Sequence, residues 1–230
     1  MAEKKKNKYG PVGREDVDMN SLRPGFIRVI HKSPNDYNAQ PGEMLDSDSG
    51  EHLGKEIVVV PIKKFIDWVK FGKDDFKLED RSFDGVTWVS SGRAFTKDEE
   101  WQCKRINFLV FIEGHDSKMP LILSFGKSSL SAGRKMDAVI AKNNLANDAA
   151  IFSNRFKIWT SKETNEAKQS WFILNAEKLA EETPEKVQDE AFKQHEAYTK
   201  ILSEDKQRLL DAPKHEALPA ASGKKKDRKY

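Results

Sequence analysis

Apolar and polar residues alternate in FIRVI, residues 26–30, with the two-residue period of a half-buried strand. The segment PNDYNAQPGEMLDSDSGEHLGKE that follows is rich in Pro, Gly, Asn and Asp, and predicts a long loop with room for a short hairpin. IVVVPI is a continuous apolar run too short for a helix, so it predicts a strand covered on both faces. Pro61 has no N–H to give to a ladder and belongs at a strand end or bulge. KKFIDWVKF continues the sheet, and FDGVTWV predicts another strand. KRINFLVFIEG and SKMPLILSFG form a hairpin around GHDSKMP, while NRFKIWTS and QSWFILNA form a second one around KETNEAK.

The rhythm changes in SSLSAGRKMDAVIAKNN. Serines able to cap a helix precede Leu130, Met136, Val139 and Ile140, which fall on one helical face. A second, longer amphipathic helix starts beside Pro184 and places Val187, Ala191, Tyr198, Ile201 and Leu202 towards one side. Six or more strands around one internal helix, with a C-terminal helix closing the chain, predict a mainly β fold with helical additions. A small barrel is one way to hide the strand edges.

Composition divides this picture into a core and two tails. Charged residues are 33% and hydrophobic ones 37%, with a mean hydropathy of -0.73. That balance suits a modest core with solvated ends. Residues 1–20 and 212–230 are basic flexible tails by composition, leaving 21–211 as the folded domain. A single cysteine, Cys103, excludes an internal disulfide and a cysteine-rich zinc site. No apolar run is long enough for a membrane span or a signal peptide, so the expected setting is the cytoplasm.

Net charge is only +3, but it is unevenly spread. Residues 118–170 hold nine basic and four acidic side chains, an excess of +5, whereas 179–211 hold five basic and nine acidic. Aromatic residues interleave with the basic segment, and that combination suits single-stranded nucleic acid: cations meet phosphates while rings stack on bases. In RFKIW, Arg155, Lys157 and Trp159 share one strand face and Phe156 and Ile158 the other. Phe125, Phe156 and Phe172 are expected in the core.

Gly126-Lys127-Ser128 copies the end of a nucleotide-binding loop, but the position that needs the first glycine is Leu121, inside a strand. ATP or GTP chemistry is therefore not indicated. EGHD reads as a polar turn rather than a metal site, Cys103 as a buried spectator, and DSDSGE lacks the closing glutamate of a calcium loop.

The order of segments PGEMLDSDSGEHLGKEIVVVP, KRINFLVFIEG, PLILSFGKSSLSAGRKM and IFSNRFKIWTSKETNEAKQSWFILN resembles a group of bacteriophage single-stranded-DNA-binding proteins with an OB-like fold. The resemblance covers about residues 22–202; FGKSSLSAGRK and FSNRFKIWTS carry most of it. It implies an OB-like barrel and a non-catalytic, cofactor-free role on single-stranded DNA in replication or recombination, alongside phage replication or recombination proteins. The candidate contacts are Lys127, Arg134, Lys135, Arg155, Lys157, Trp159 and Trp171. The chain departs from that group in two ways: it has no extra cysteines that would make a zinc knuckle, and it ends GKKKDRKY instead of in an acidic tail. The alternatives are a structural or adaptor protein without direct DNA binding, and a metal-dependent nuclease, which needs acidic ligands that the sequence does not assemble. Oligomeric state is not fixed by sequence.

Neither tail offers a periodic apolar face, so a chain lacking residues 1–20 and 214–230 is expected to unfold cooperatively with an unchanged thermal midpoint. A molten or insoluble product would place ordered structure in the tails.

Overall fold

In a computed structural model, residues 24–32, 37–73, 78–97, 99–115 and 119–211 are described, with side chains to residue 200. The strands are β1 (Ile27–Val29), β2 (Met44–Asp46), β3 (His52–Gly54), β4 (Glu56–Phe71), β5 (Leu78–Ser82), β6 (Gln102–Ile112), β7 (Leu121–Gly126), β8 (Phe156–Thr164) and β9 (Ser170–Lys178). The helices are α1 (Leu130–Asn147) and α2 (Glu185–Asp211). All strand-to-strand ladders are antiparallel. The main sheet has the order β7-β6-β4-β8-β9, with β5 beside the far end of β4. A smaller sheet, β1-β2-β3, carries the hairpin foreseen in the long loop.

IVVVPI and KKFIDWVKF are one strand. Its register with β6 shifts between Pro61 and Lys63, so Pro61 lies at a bulge, where the missing N–H is tolerated. Before the bulge Ile57 and Val59 face α1; after it Lys64 and Ile66 do, while Lys63, Phe65 and Asp67 take the opposite face. β6–β7 and β8–β9 are the two hairpins read from the pattern. FDGVTWV is not a strand. The strand lies earlier, at Leu78–Ser82, and residues 83–86 bend, because the Asp84 carboxylate accepts the N–H groups of Val86 and Thr87 and folds the chain into an Asx-type turn.

The larger core lies between one sheet face and α1. Phe108, Leu123, Phe125, Phe156 and Ile158 meet Ala132, Met136 and Ile140 there. Leu130 and Val139 are half-buried at its margin, as the apolar face of α1 predicts. Phe125 and Phe156 are core residues, at 0% and 1% exposure. On the opposite face Ala191 and Tyr198 of α2 cover Ile62, Leu109 and Ile122. Ile201 and Leu202 lie outside the described side chains.

No ladder joins β7 to β9, so the sheet is not closed into a barrel among the described residues. α1 packs against both of these edge strands, and β1 lies along β7 where the Ile122 N–H donates to the Gly25 carbonyl. The gap between β7 and β9 is a seam.

Gly133 lets α1 approach the sheet, since a Cβ there would sit 2.6 Å from Phe125 Cβ. Gly133→Ala is expected to lower stability by about 1–2 kcal/mol in denaturant unfolding, overpacking outweighing about 1 kcal/mol of gained helix propensity. A stabilised variant would show that the helix can move off the sheet.

Candidate functional site

A cleft of about 570 Å³ occupies the seam. Its walls come from four places: Ile27, Val29 and His31 in and just after β1, Phe71 at the end of β4, Gly126–Ser129 at and just after the end of β7, and Trp171–Leu174 of β9. The floor includes Cys103, Arg105 and Ser124. Gly42 brings the β1–β2 loop against the Phe172 ring at a φ of +89°, and a Cβ there would lie 2.7 Å from the ring.

The GKSS segment has a defined shape. β7 ends at Gly126, a short 3-10 turn spans Lys127–Ser129, and α1 follows. Lys127 has a φ of +46°, rarely adopted by a lysine. Its N–H donates to Cys103 Sγ at 3.3 Å, and its Nζ lies 5.5 Å from the centre of the Phe71 ring. The serines do not cap α1 by side chain: Ser129 Oγ accepts the Leu174 N–H at 2.9 Å and so ties the turn to β9. The apolar strand at Leu121 leaves no phosphate-cradling loop.

Arg105 is held inward. Its guanidinium makes paired hydrogen bonds with Asp67, at 2.9 and 2.5 Å, and Asp67 is fully buried. Arg81 Nε lies 3.2 Å from the same carboxylate, Asn107 donates to it at 2.9 Å, and Ser124 donates to Asn107. This network sits under the cleft and fixes its floor.

Of the seven residues singled out by sequence, the cleft contains Lys127 and Trp171. Arg134 and Lys135 are exposed on α1, a turn or so beyond the cleft rim, and have no ion pair among the described residues. β8 does place Lys157 and Trp159 opposite Phe156 and Ile158. The cations of that segment are neutralised, however: Arg155 grips Glu113 through two hydrogen bonds of 2.6 and 2.5 Å, and Lys157 meets Glu56 at 2.8 Å. The Glu113 hydrogen bonds push the Arg155 guanidinium above its ordinary pKa.

Sequence reasoning missed Phe71 and His31 and gave Phe172 to the core. Phe71 is the last residue of an alternating run, just before GKDD, and that position at a strand end was its one available signal. Among the described residues no group of three or more His, Cys, Asp or Glu is placed to hold a metal, and no helix is long and apolar enough to cross a membrane.

Residues 1–201 match the model of a phage family, the Pam3 phage gp34-like proteins. The chain belongs to that family. Neither curated proteins nor solved structures yield a match to it. The family match makes this a phage protein and, running from the first residue to the middle of α2, takes in both walls of the cleft.

His31 joins the two walls in this gp34-like chain. Its Nδ1 accepts the Phe172 N–H at 3.2 Å, which requires the lone pair of a neutral ring. Desolvation at the cleft wall, and then Arg28, lower its pKa from the ordinary histidine value. A histidine whose folded pKa is depressed leaves the unfolded chain binding more protons, so its stabilising contribution is present above about pH 6.5 and is lost as pH falls through the window below. His31→Gln is expected to flatten the decline of the thermal midpoint between about pH 6.5 and 5. An identical decline in parent and variant would remove His31 from the acid response.

Proposed function

We propose that this phage protein is a non-catalytic single-stranded-DNA-binding protein that covers single-stranded intermediates of replication or recombination in the bacterial cytoplasm. The observation that carries this reading is the seam cleft. It sets an exposed lysine at its rim, beside Phe71, Trp171 and Phe172, on a rigid sheet. Rings offer faces to any base, and a lysine offers charge to any phosphate, so this chemistry favours single strands over paired ones without reading sequence.

The strand arrangement supports the same reading. Counting β4, β6, β7, β8 and β9 as five consecutive strands, the order is 3-2-1-4-5, with α1 inserted between the third and fourth. We read this as an OB-type barrel left open at the seam where its third and fifth strands would meet. OB-folds bind oligonucleotides across their second and third strands and adjoining loops. In this chain those strands are β6 and β7, which contribute Cys103, Arg105, Ser124 and Gly126 to the cleft.

Within this reading Lys127, Arg134 and Lys135 contact phosphates and Trp171 stacks. The Trp171 indole nitrogen is buried without an acceptor among the described residues, so a ring shift on binding has little to lose. Arg155 and Lys157 would have to exchange Glu113 and Glu56 for phosphate, which makes them, with Trp159 beside them, secondary contacts.

Titration of labelled oligothymidine and a matched duplex at two salt concentrations tests the proposal. Preferential single-strand binding that weakens with salt is expected. Replacing Lys127, Arg134 and Lys135 together by alanine should weaken binding to all sequences and flatten the salt dependence, and Trp171→Ala should cost about 1–3 kcal/mol of binding. A folded parent that binds neither oligonucleotide overturns the proposal and favours the adaptor reading; loss of DNA only when Mg²⁺ or Mn²⁺ is added favours the nuclease.

A further inference from the structure

Beyond the cleft, the end of the main sheet carries a second set of rings and cations. β4 and β6 run out here together, with Trp68 opposite Lys104 and Lys70 opposite Gln102. Lys104 is exposed, and its Nζ lies 5.5 Å from the centre of the Trp68 ring. One strand over, Lys127 lies at the same 5.5 Å from the Phe71 ring. Trp101, just before β6, stands at the same sheet end, where its carbonyl accepts the Phe71 N–H at 3.1 Å.

Trp101 is 37% exposed and has a φ of +64°. A large side chain in the left-handed region is strained, and glycine would fit that backbone better. Lys127 has the same kind of backbone at the end of the neighbouring strand. Two non-glycine residues in the left-handed region stand at one sheet end, one a ring 37% exposed and one an exposed cation, and backbone strain of this kind clusters at functional sites.

We infer that the oligonucleotide track continues from the cleft onto this sheet end, with Trp101 as a second stacking platform and Lys104 as a phosphate contact. The inference rests on the single-strand-binding reading above. In the free protein Lys127 and Lys104 lie over Phe71 and Trp68. Both rings are half-buried, Trp68 in a T-shaped contact with Phe95, and a cation over a ring near the surface is held weakly, so each ammonium can turn to a phosphate while a base stacks on Trp101. The ligand this end suits is single-stranded nucleic acid long enough to leave the cleft.

Length dependence tests this. Parent, Trp101→Gly and Lys104→Ala are titrated with oligothymidines of about four and about sixteen nucleotides, the range of site sizes for such domains. The short oligonucleotide, confined to the cleft, is expected to bind all three equally. The long one should lose at least about fivefold in affinity with Trp101→Gly, a lost stack, and should show a shallower salt slope with Lys104→Ala. Thermal unfolding of Trp101→Gly provides the second readout. A midpoint equal to or above that of the parent, together with the affinity loss, shows that the ring serves the ligand and not the fold.

Equal affinities at both lengths overturn the extended track while leaving the cleft standing. An equal loss at both lengths overturns it too, because the residues would then act through the cleft or the fold. A parent that binds neither length overturns this inference together with the function on which it rests.

Discussion

The buried Asp67 carboxylate holds the cleft-bearing half of the main sheet together. It sits on β4 with no exposure and is met by Arg81 of β5 and by Arg105 and Asn107 of β6; Ser124 of β7 extends the chain of hydrogen bonds through Asn107. Four neighbouring strands are thus linked through one charge. An ion of this kind is costly to bury, and the cost is offset only where every oxygen has good partners. Here both do, with Arg105 and Asn107 on Oδ1 and the two guanidinium groups at Oδ2. A neutral aliphatic residue in place of Asp67 would leave two arginines facing an uncharged interior, and removing one side of a buried pair costs about 3–5 kcal/mol.

The rest of the site depends on that rigidity. The seam is bounded by two edge strands, neither of which pairs with the other, and each has to be held from elsewhere. β7 is held through β6 and the Asp67 network, and by β1 on its free side. On the free side of β9, the Phe172 and Leu174 N–H groups are met by His31 and by Ser129. Side-chain acceptors therefore blunt an edge that would otherwise invite another strand, and leave the space between available to a ligand.

Much of the scaffold was legible because burial imposes a period. The two hairpins, the internal helix and the Pro61 bulge follow from local pattern and from the missing proline N–H. FDGVTWV misled because its alternation is that of a strand, whereas the Asp84 turn decides the backbone there. The site was less legible, for a different reason. Charge counted along the chain is blind to partners from distant strands, and Glu113 lies 42 residues from Arg155. The same limit hid His31, whose importance comes from Phe172, 141 residues away. Of the residues read from the basic and aromatic composition, Lys127 and Trp171 line the cleft.

The bulge at Pro61 has a further consequence. With one extra residue on β4, the strand changes parity: odd positions face α1 before it and even positions after it. Asp67 reaches the arginines only because of that inversion. Counting residues between the proline and the aspartate is therefore as strict a requirement on this gene as either identity. A one-codon insertion in the interval, with the bulge kept, would turn the carboxylate to the α1 side of the sheet and Ile66 to the other. Among related sequences the spacing from Pro61 to Asp67 should resist insertion, and a one-residue loss there should come with loss of the bulge.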